Sequence, residues 1–181
     1  MVNANDPAEI AERVVQTAVG VLETDSASVR EFDPEREQLV AVATTGSIDS
    51  PDESRPAYDV GEGPVGTVFA EQRPMVVDDV DGIDDDRDRG DATAAAYFPL
   101  GEDRTLSLGR TQERGFTEDE LQFLEVLVTI AGAVFKRVDR QRELRRYEAA
   151  VEAAEDLLFT VDGDGQFTLA SRALSTLLGV E

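Results

Sequence analysis

Two stretches of this sequence bring together residue types that could support binding chemistry. Eight aspartates crowd the segment Asp78 to Asp91, and Gly61 and Gly63 precede, with Gly66 inside, an apolar run beginning at Val65. Clustered carboxylates take hard cations through oxygen, and a glycine-rich loop opening a helix takes phosphate on its amides. Neither pattern passes its geometric test. A calcium-binding loop aligned on Gly82 starts at Val77, which has no ligating oxygen, and ends at Asp88; aligned on Gly165 it starts at Thr160 and ends at Ser171. The acidic segment therefore reads as a solvated loop. The literal glycine pattern lacks the strand–turn–helix unit of a dinucleotide site, and Pro64 removes an amide that a phosphate needs. The basic run from Lys136 to Arg146 is a third candidate, for nucleic acid. Asp139 and Glu143 interrupt it and the chain carries a net charge of −22, so it reads as an ion-pairing helix face.

The absent residues exclude more. With no cysteine there is no thiolate nucleophile, zinc–thiolate site or disulfide; with no histidine there is no imidazole base and no histidine-ligated haem. Carboxylates, hydroxyls, arginines and the single lysine, Lys136, remain. Metal-assisted hydrolysis by carboxylates alone is the one surviving enzymatic route, and no paired carboxylate spacing supports it. No metal site and no catalytic residue is assigned, and no cofactor is identified. Acidic residues number 39 against 17 basic ones, spread along the whole chain between periodic apolar positions. Such a density repels itself at ordinary ionic strength and is screened at molar salt, where the Debye length is about 3 Å. The balance resembles that of proteins from salt-accumulating haloarchaea. No apolar run approaches the ~20 residues that span a bilayer, and the acidic start lacks a signal peptide's basic and apolar regions, so a cytoplasmic location without membrane contact is expected.

The elements that position these residues follow from periodicity. Asp6-Pro7-Ala8-Glu9 has a cap, a first-turn proline and a capping-box acid, and Ile10, Val14, Ala18 and Leu22 recur at helical spacing over about 7 to 23. Ser26 to Phe32 and Gln38 to Thr45 read as antiparallel strands around a turn at Asp33-Pro34, followed by a loop from Gly46 to Pro56. Pro64 opens a short helix carrying Val65, Val68 and Phe69; Met75 to Val77 is a buried strand; Ala94 to Leu100 and Arg104 to Arg110 form a hairpin. Thr117 caps the last long helix with Glu120 closing a capping box. Leu121, Leu124, Val128, Ala131, Phe135 and Val138 form its stripe, and the charged run continues the same helix to about residue 154. Asp156 to Val161 and Gln166 to Ala170 flank the turn Asp162-Gly163-Asp164-Gly165 as a second hairpin, with a short helix at Ser171 to Leu178.

The run Gly61 to Val77, with Ala96-Tyr97-Phe98-Pro99-Leu100 and the Phe116-Thr117 helix start in the same order, resembles the GAF domain family over about residues 5 to 137. Residues 147 to 181, with their strand, D-G-x-G turn, second strand and a helix ending Leu177-Leu178-Gly179 before a complete domain is reached, resemble the start of a PAS domain. Ser171 stands where that family commonly has asparagine. Together the two parts resemble haloarchaeal GAF/PAS signalling proteins, the sensor kinases and bacterio-opsin activator-like regulators. The resemblance implies an α+β fold: an antiparallel sheet with flanking helices on one face, a ligand pocket on the other, a long linker helix and a partial PAS-like hairpin. The expected organisation is a sensory domain over 1–137, a helical signalling linker over 138–154 and a truncated PAS-like start over 155–181.

The family's cysteine-dependent sulfoxide reductase, cysteine-linked bilin and histidine-linked haem chemistries lack their residues here. Its cyclic-nucleotide signature fails too, because the spacing from Phe116 to Asp119-Glu120 is one residue short. The function expected is a non-catalytic sensory module that binds a small ligand and relays through a helical homodimer to a downstream kinase or transcriptional output domain, with no direct nucleic-acid contact. A ligand-free dimerisation scaffold is the alternative. The expected pocket wall is Tyr58, Val60, Phe69, Val77, Phe98 and Leu108, and the expected dimer contact is the stripe Leu121, Leu124, Val128, Ala131, Phe135 and Val138.

Overall fold

A computed structural model describes residues 6–46, 56–83, 89, 91–112, 114–153, 159–170 and 174. Most of the expected loop from Gly46 to Pro56, much of the aspartate-rich loop, the start of the second hairpin and all but Leu174 of the terminal helix lie outside them. Packing divides the chain into two units between Lys136 and Arg137.

In the first unit, helix α1 (Pro7–Leu22) starts as its sequence dictates. Asp6 accepts a hydrogen bond from the Ala8 amide at 3.1 Å, and Pro7 occupies the first turn. Ala11, Val14, Val15, Ala18 and Leu22 make its buried face. Strands β1 (Ser26–Asp33) and β2 (Gln38–Gly46) form the expected hairpin, whose turn is held by Asp33 accepting from the Glu35 and Arg36 amides. A two-residue strand β3 (Tyr58–Asp59) precedes helix α2 (Gly63–Glu71); strand β4 (Met75–Val77) leads to a single 3-10 turn at Val80–Gly82. Strands β5 (Ala94–Pro99) and β6 (Arg104–Arg110) complete one antiparallel sheet in the order β3-β2-β1-β6-β5-β4.

The central strands β1, β5 and β6 are buried on both sides. Residue alternation therefore sorts their side chains between two cores rather than between core and water. Ala27, Val29, Ala96, Phe98, Leu106 and Leu108 face a larger core shared with α1 and the last helix. Leu39, Tyr58, Val65, Val68, Ala95 and Tyr97 belong to a smaller core, to which α2 contributes Val65 and Val68. Gly66 is dictated by that arrangement, since a Cβ there would overlap the Asp59 carbonyl oxygen and lie 2.8 Å from the Gly61 nitrogen.

Helix α3 (Glu118–Ala153) is one continuous element of 36 residues. Its start is the expected capping box: the Glu120 amide donates to Thr117 Oγ1 at 3.3 Å and the Thr117 amide donates to Glu120 Oε2 at 2.8 Å. In the second unit, β7 (Phe159–Val161) and β8 (Phe167–Ala170) pair antiparallel. Asp162 Oδ1 accepts from the amides of Asp164 and Gln166, and Gly165 takes the left-handed conformation, so the D-G-D-G turn forms as its sequence predicts. No helix among the described residues is long and apolar enough to cross a membrane.

Candidate functional site

The α2-facing side of the sheet carries a polar patch at its centre. On β1, Ser28 and Arg30 alternate with the core residues Ala27 and Val29; on β6, Thr105 and Ser107 alternate with Leu106 and Leu108. The strand register places Ser28 opposite Ser107 and Ser107 opposite Tyr97, with Arg30 opposite Thr105 in the neighbouring row. All four polar residues are buried, Arg30 to 3% exposure and Thr105 to 1%. A bulge in the β1–β2 pairing falls between Val29 and Arg30 and re-aims the chain at this point.

Arg30 donates through Nη1 to Ser28 Oγ at 3.2 Å, and its guanidinium lies 4.9 Å from the centre of the Tyr58 ring, within cation–π range. Among the described residues, Thr105 Oγ1 and Ser107 Oγ meet no hydrogen-bond partner although both are buried. Leaving such a group unsatisfied costs ~1 to 3 kcal/mol, so these two hydroxyls are the open hydrogen-bonding positions of the patch. Phe32 and Phe69 stack nearby in the same small core, with ring centres 5.1 Å apart.

The expected pocket wall divides across the sheet. Tyr58, Phe69 and Val77 belong to the α2-side core, and Val60, in the turn after β3, is 45% exposed. Phe98 and Leu108 face α1 and α3 instead, where both are buried in the larger core. Both strands form close to where the sequence puts them, but buried residues alternate on their two faces, so hydrophobicity alone does not assign Phe98 and Leu108 to a side. The residues missed are Ser28, Arg30, Thr105 and Ser107. Their trace in the sequence is the polar alternation of SASVREF and RTLSLGR, which also fits a solvent-facing side.

The other two buried arginines serve the fold on the opposite face. Arg110 is fully buried and binds both carboxylate oxygens of Glu120 at 2.9 and 3.2 Å, the Leu22 and Gly115 carbonyls, and the face of Phe116. That single side chain ties the end of β6 to the end of α1 and the start of α3. The Arg110 guanidinium, aided by the Thr117 amide, holds the Glu120 carboxyl down at about 2 against the desolvation that would raise it. Arg104 meets Glu31 at 2.6 Å and Asp103 at 2.8 Å, and covers the Phe135 ring.

The expected dimer stripe lies largely inside the protein. Leu124, Ala131, Phe135 and Val138 are buried, and Leu121 and Val128 pack partly buried against the larger core. Spacings of three and four suit packing on a sheet as well as on a second helix. Val126, Ile130 and Val134 are the large apolar residues exposed on that part of α3. Ile130 and Val134 join Leu127, Ala131 and residues Ile10, Val14 and Thr17 of α1 in lining an open groove of about 250 Å³.

Comparison with known proteins agrees with this architecture. The profile of the GAF domain family matches residues 4–136. No curated protein matches the chain. Among solved structures, the second GAF domain of DevS from Mycobacterium smegmatis is similar at a TM-score of 0.65 and 23% identity, over 77% of this chain and 99% of that one. The free methionine-R-sulfoxide reductase of Neisseria meningitidis is similar at 0.66 and 18%, over 76% and 82%. The GAF domain of an Acinetobacter phosphoenolpyruvate-protein phosphotransferase is similar at 0.63 and 14%, over 75% and 85%. At these identities the likeness is one of fold.

Proposed function

The chain belongs to the GAF domain family, whose members are in general sensory or regulatory modules, and from that premise we propose that it is a non-catalytic sensor. It holds a small polar ligand on the α2 side of its sheet and passes occupancy to α3. The observation that carries this reading is the buried patch Ser28, Arg30, Thr105 and Ser107, two of whose hydroxyls meet no partner among the described residues. Both lie on β6, so a guest that satisfies them bears on that strand. On the other face of β6, Arg110 grips Glu120 at the start of α3, so a shift of β6 reaches that helix directly. Occupancy then biases a homodimeric helix pair between two arrangements.

The second unit supports attachment to further signalling modules: its D-G-D-G hairpin is the expected opening of a PAS-like domain, and the linker between is α3 itself. A downstream kinase or transcriptional output domain is the partner this organisation serves. The acidic, lysine-poor composition supports a haloarchaeal cytoplasm as its setting.

A ligand-free scaffold has one observation in its favour, the stacked Phe32 and Phe69 that fill part of the same core. Thermal denaturation against a panel of nucleotides, amino acids, organic acids and sugars separates the two readings. The sensor raises its midpoint with at least one compound and loses that shift in Ser107→Leu, which fills the polar row. A scaffold shows no shift with any compound and is stabilised or unchanged by the leucine.

A further inference from the structure

The four residues of the polar patch, Ser28, Arg30, Thr105 and Ser107, bring one positive charge and no negative one to the α2 side of the sheet. Their placement narrows what can lie on them. Thr105 and Ser107 are two residues apart on β6, so their side chains leave the same face about 6.7 Å apart. Both hydroxyls are buried and meet no partner among the described residues. Arg30 stands opposite Thr105, and its Nη1 donates at 3.2 Å to the Oγ of Ser28, which stands opposite Ser107. The guanidinium therefore extends from one cross-strand row to the next, alongside the line that joins the two hydroxyls. The Tyr58 ring, its centre 4.9 Å away, braces the charge there.

Hydroxyls and a guanidinium offer donors to a guest. The two oxygens of one carboxylate can accept from both hydroxyls, because a hydrogen bond of about 2.7 Å at each end takes up most of the distance between them. A carboxylate so placed takes charge-assisted bonds and lies beside a buried positive charge, where the low dielectric strengthens the attraction. An ammonium meets the same guanidinium as a like charge, and a neutral amide keeps the shape without the charge. The core around the patch, Leu39, Tyr58, Val65, Val68 and Tyr97, is apolar and buried, which suits the hydrocarbon of a small acid.

We propose that the patch selects a small organic acid, held by its carboxylate between Thr105 and Ser107 with Arg30 beside it. The assignment rests on the reading of this patch as the ligand site and adds the class of ligand, so it can fail while that reading stands.

Compounds that differ only in charge test it. The thermal midpoint of the whole protein is measured with acetate, lactate and benzoate against acetamide, lactamide and benzamide, and with inorganic phosphate, at constant ionic strength set with KCl so that screening of the protein's own charge is the same in every sample. The expected result is a midpoint raised by at least one acid and unmoved by its amide. Thr105→Val keeps the shape of the side chain and removes the hydroxyl, and it weakens binding of that acid by about tenfold or more. Arg30→Met weakens it at least as much; if that variant does not fold, Thr105→Val and Ser107→Ala carry the test. An acid and its amide that bind equally, both responses being lost in Ser107→Leu, overturn the carboxylate assignment and leave the sensor in place. A response confined to inorganic phosphate does the same. An acid whose binding survives both Thr105→Val and Ser107→Leu lies elsewhere and overturns the assignment. No response to any acid, any amide or the wider panel overturns the sensor itself.

Discussion

Arg110 and Glu120 show how much one residue pair contributes to this molecule. The guanidinium is fully buried and gives Glu120 two hydrogen bonds, while the same carboxylate completes the cap of α3 with Thr117. Removing one partner of such a pair strands the other's charge, at a cost of ~3 to 5 kcal/mol. Glu120→Gln is therefore expected to lower unfolding free energy in urea by about 3 kcal/mol; a loss below ~1 kcal/mol would show that the pair is dispensable. The pH dependence has a definite sign. The carboxyl is lowered to about 2 in the fold from an ordinary 4.5, so its stabilisation is complete above pH 4.5 and is lost as pH falls toward 2. The gap between wild type and Glu120→Gln should close across that window and stay constant above it. Glu120 was legible in advance because a capping box is a local pattern. Arg110 was not, because its partners Leu22 and Glu120 come from the two ends of the domain.

At the scale of elements, two glycines make opposite predictions from the same substitution. Gly66→Ala pushes a methyl into backbone atoms at Asp59 and Gly61, which cannot retreat without moving the β3–α2 turn. Overpacking of this kind costs ~1 to 3 kcal/mol. Gly20 lies on the exposed side of α1 with open space around it. Gly20→Ala should gain about 0.5 to 1 kcal/mol from the lost backbone entropy of the unfolded chain. Equal effects of the two in chemical denaturation would contradict the packing described for α2. Most elements were readable from the sequence: the caps of α1 and α3, the β1–β2 turn at Asp33 and the D-G-D-G hairpin all rest on contacts a few residues apart. The two-residue strand β3 was not, since Tyr58 and Asp59 are strand only by virtue of Leu39 and Gln38 beside them. Nor was the assignment of faces. Phe98 and Leu108 belong to the larger core with α1 and α3, and the apolar stripe of α3 packs on that same core. A sheet buried on both faces, and a helix without charge from Val126 to Phe135, hide the direction in which each residue points.

The whole molecule carries 22 excess negative charges. Long-range repulsion of that size destabilises the compact state until salt screens it. The melting midpoint is therefore expected to climb steadily from physiological to molar KCl; a flat or falling midpoint would remove the halophilic reading. The same field disfavours nucleic acid over most of the chain, and Asp139 and Glu143 interrupt the one basic run, Lys136 to Arg146. On the proposed reading the buried polar patch takes the ligand, β6 and Arg110 carry the change, and the start of α3 responds. Native mass spectrometry of protein purified in volatile high-salt buffer tests that central claim most directly. A defined small-molecule mass retained by the wild-type protein and absent from Ser107→Leu is the expected result. The same ligand-free mass for both proteins would contradict the sensor and leave a module that only pairs its chains.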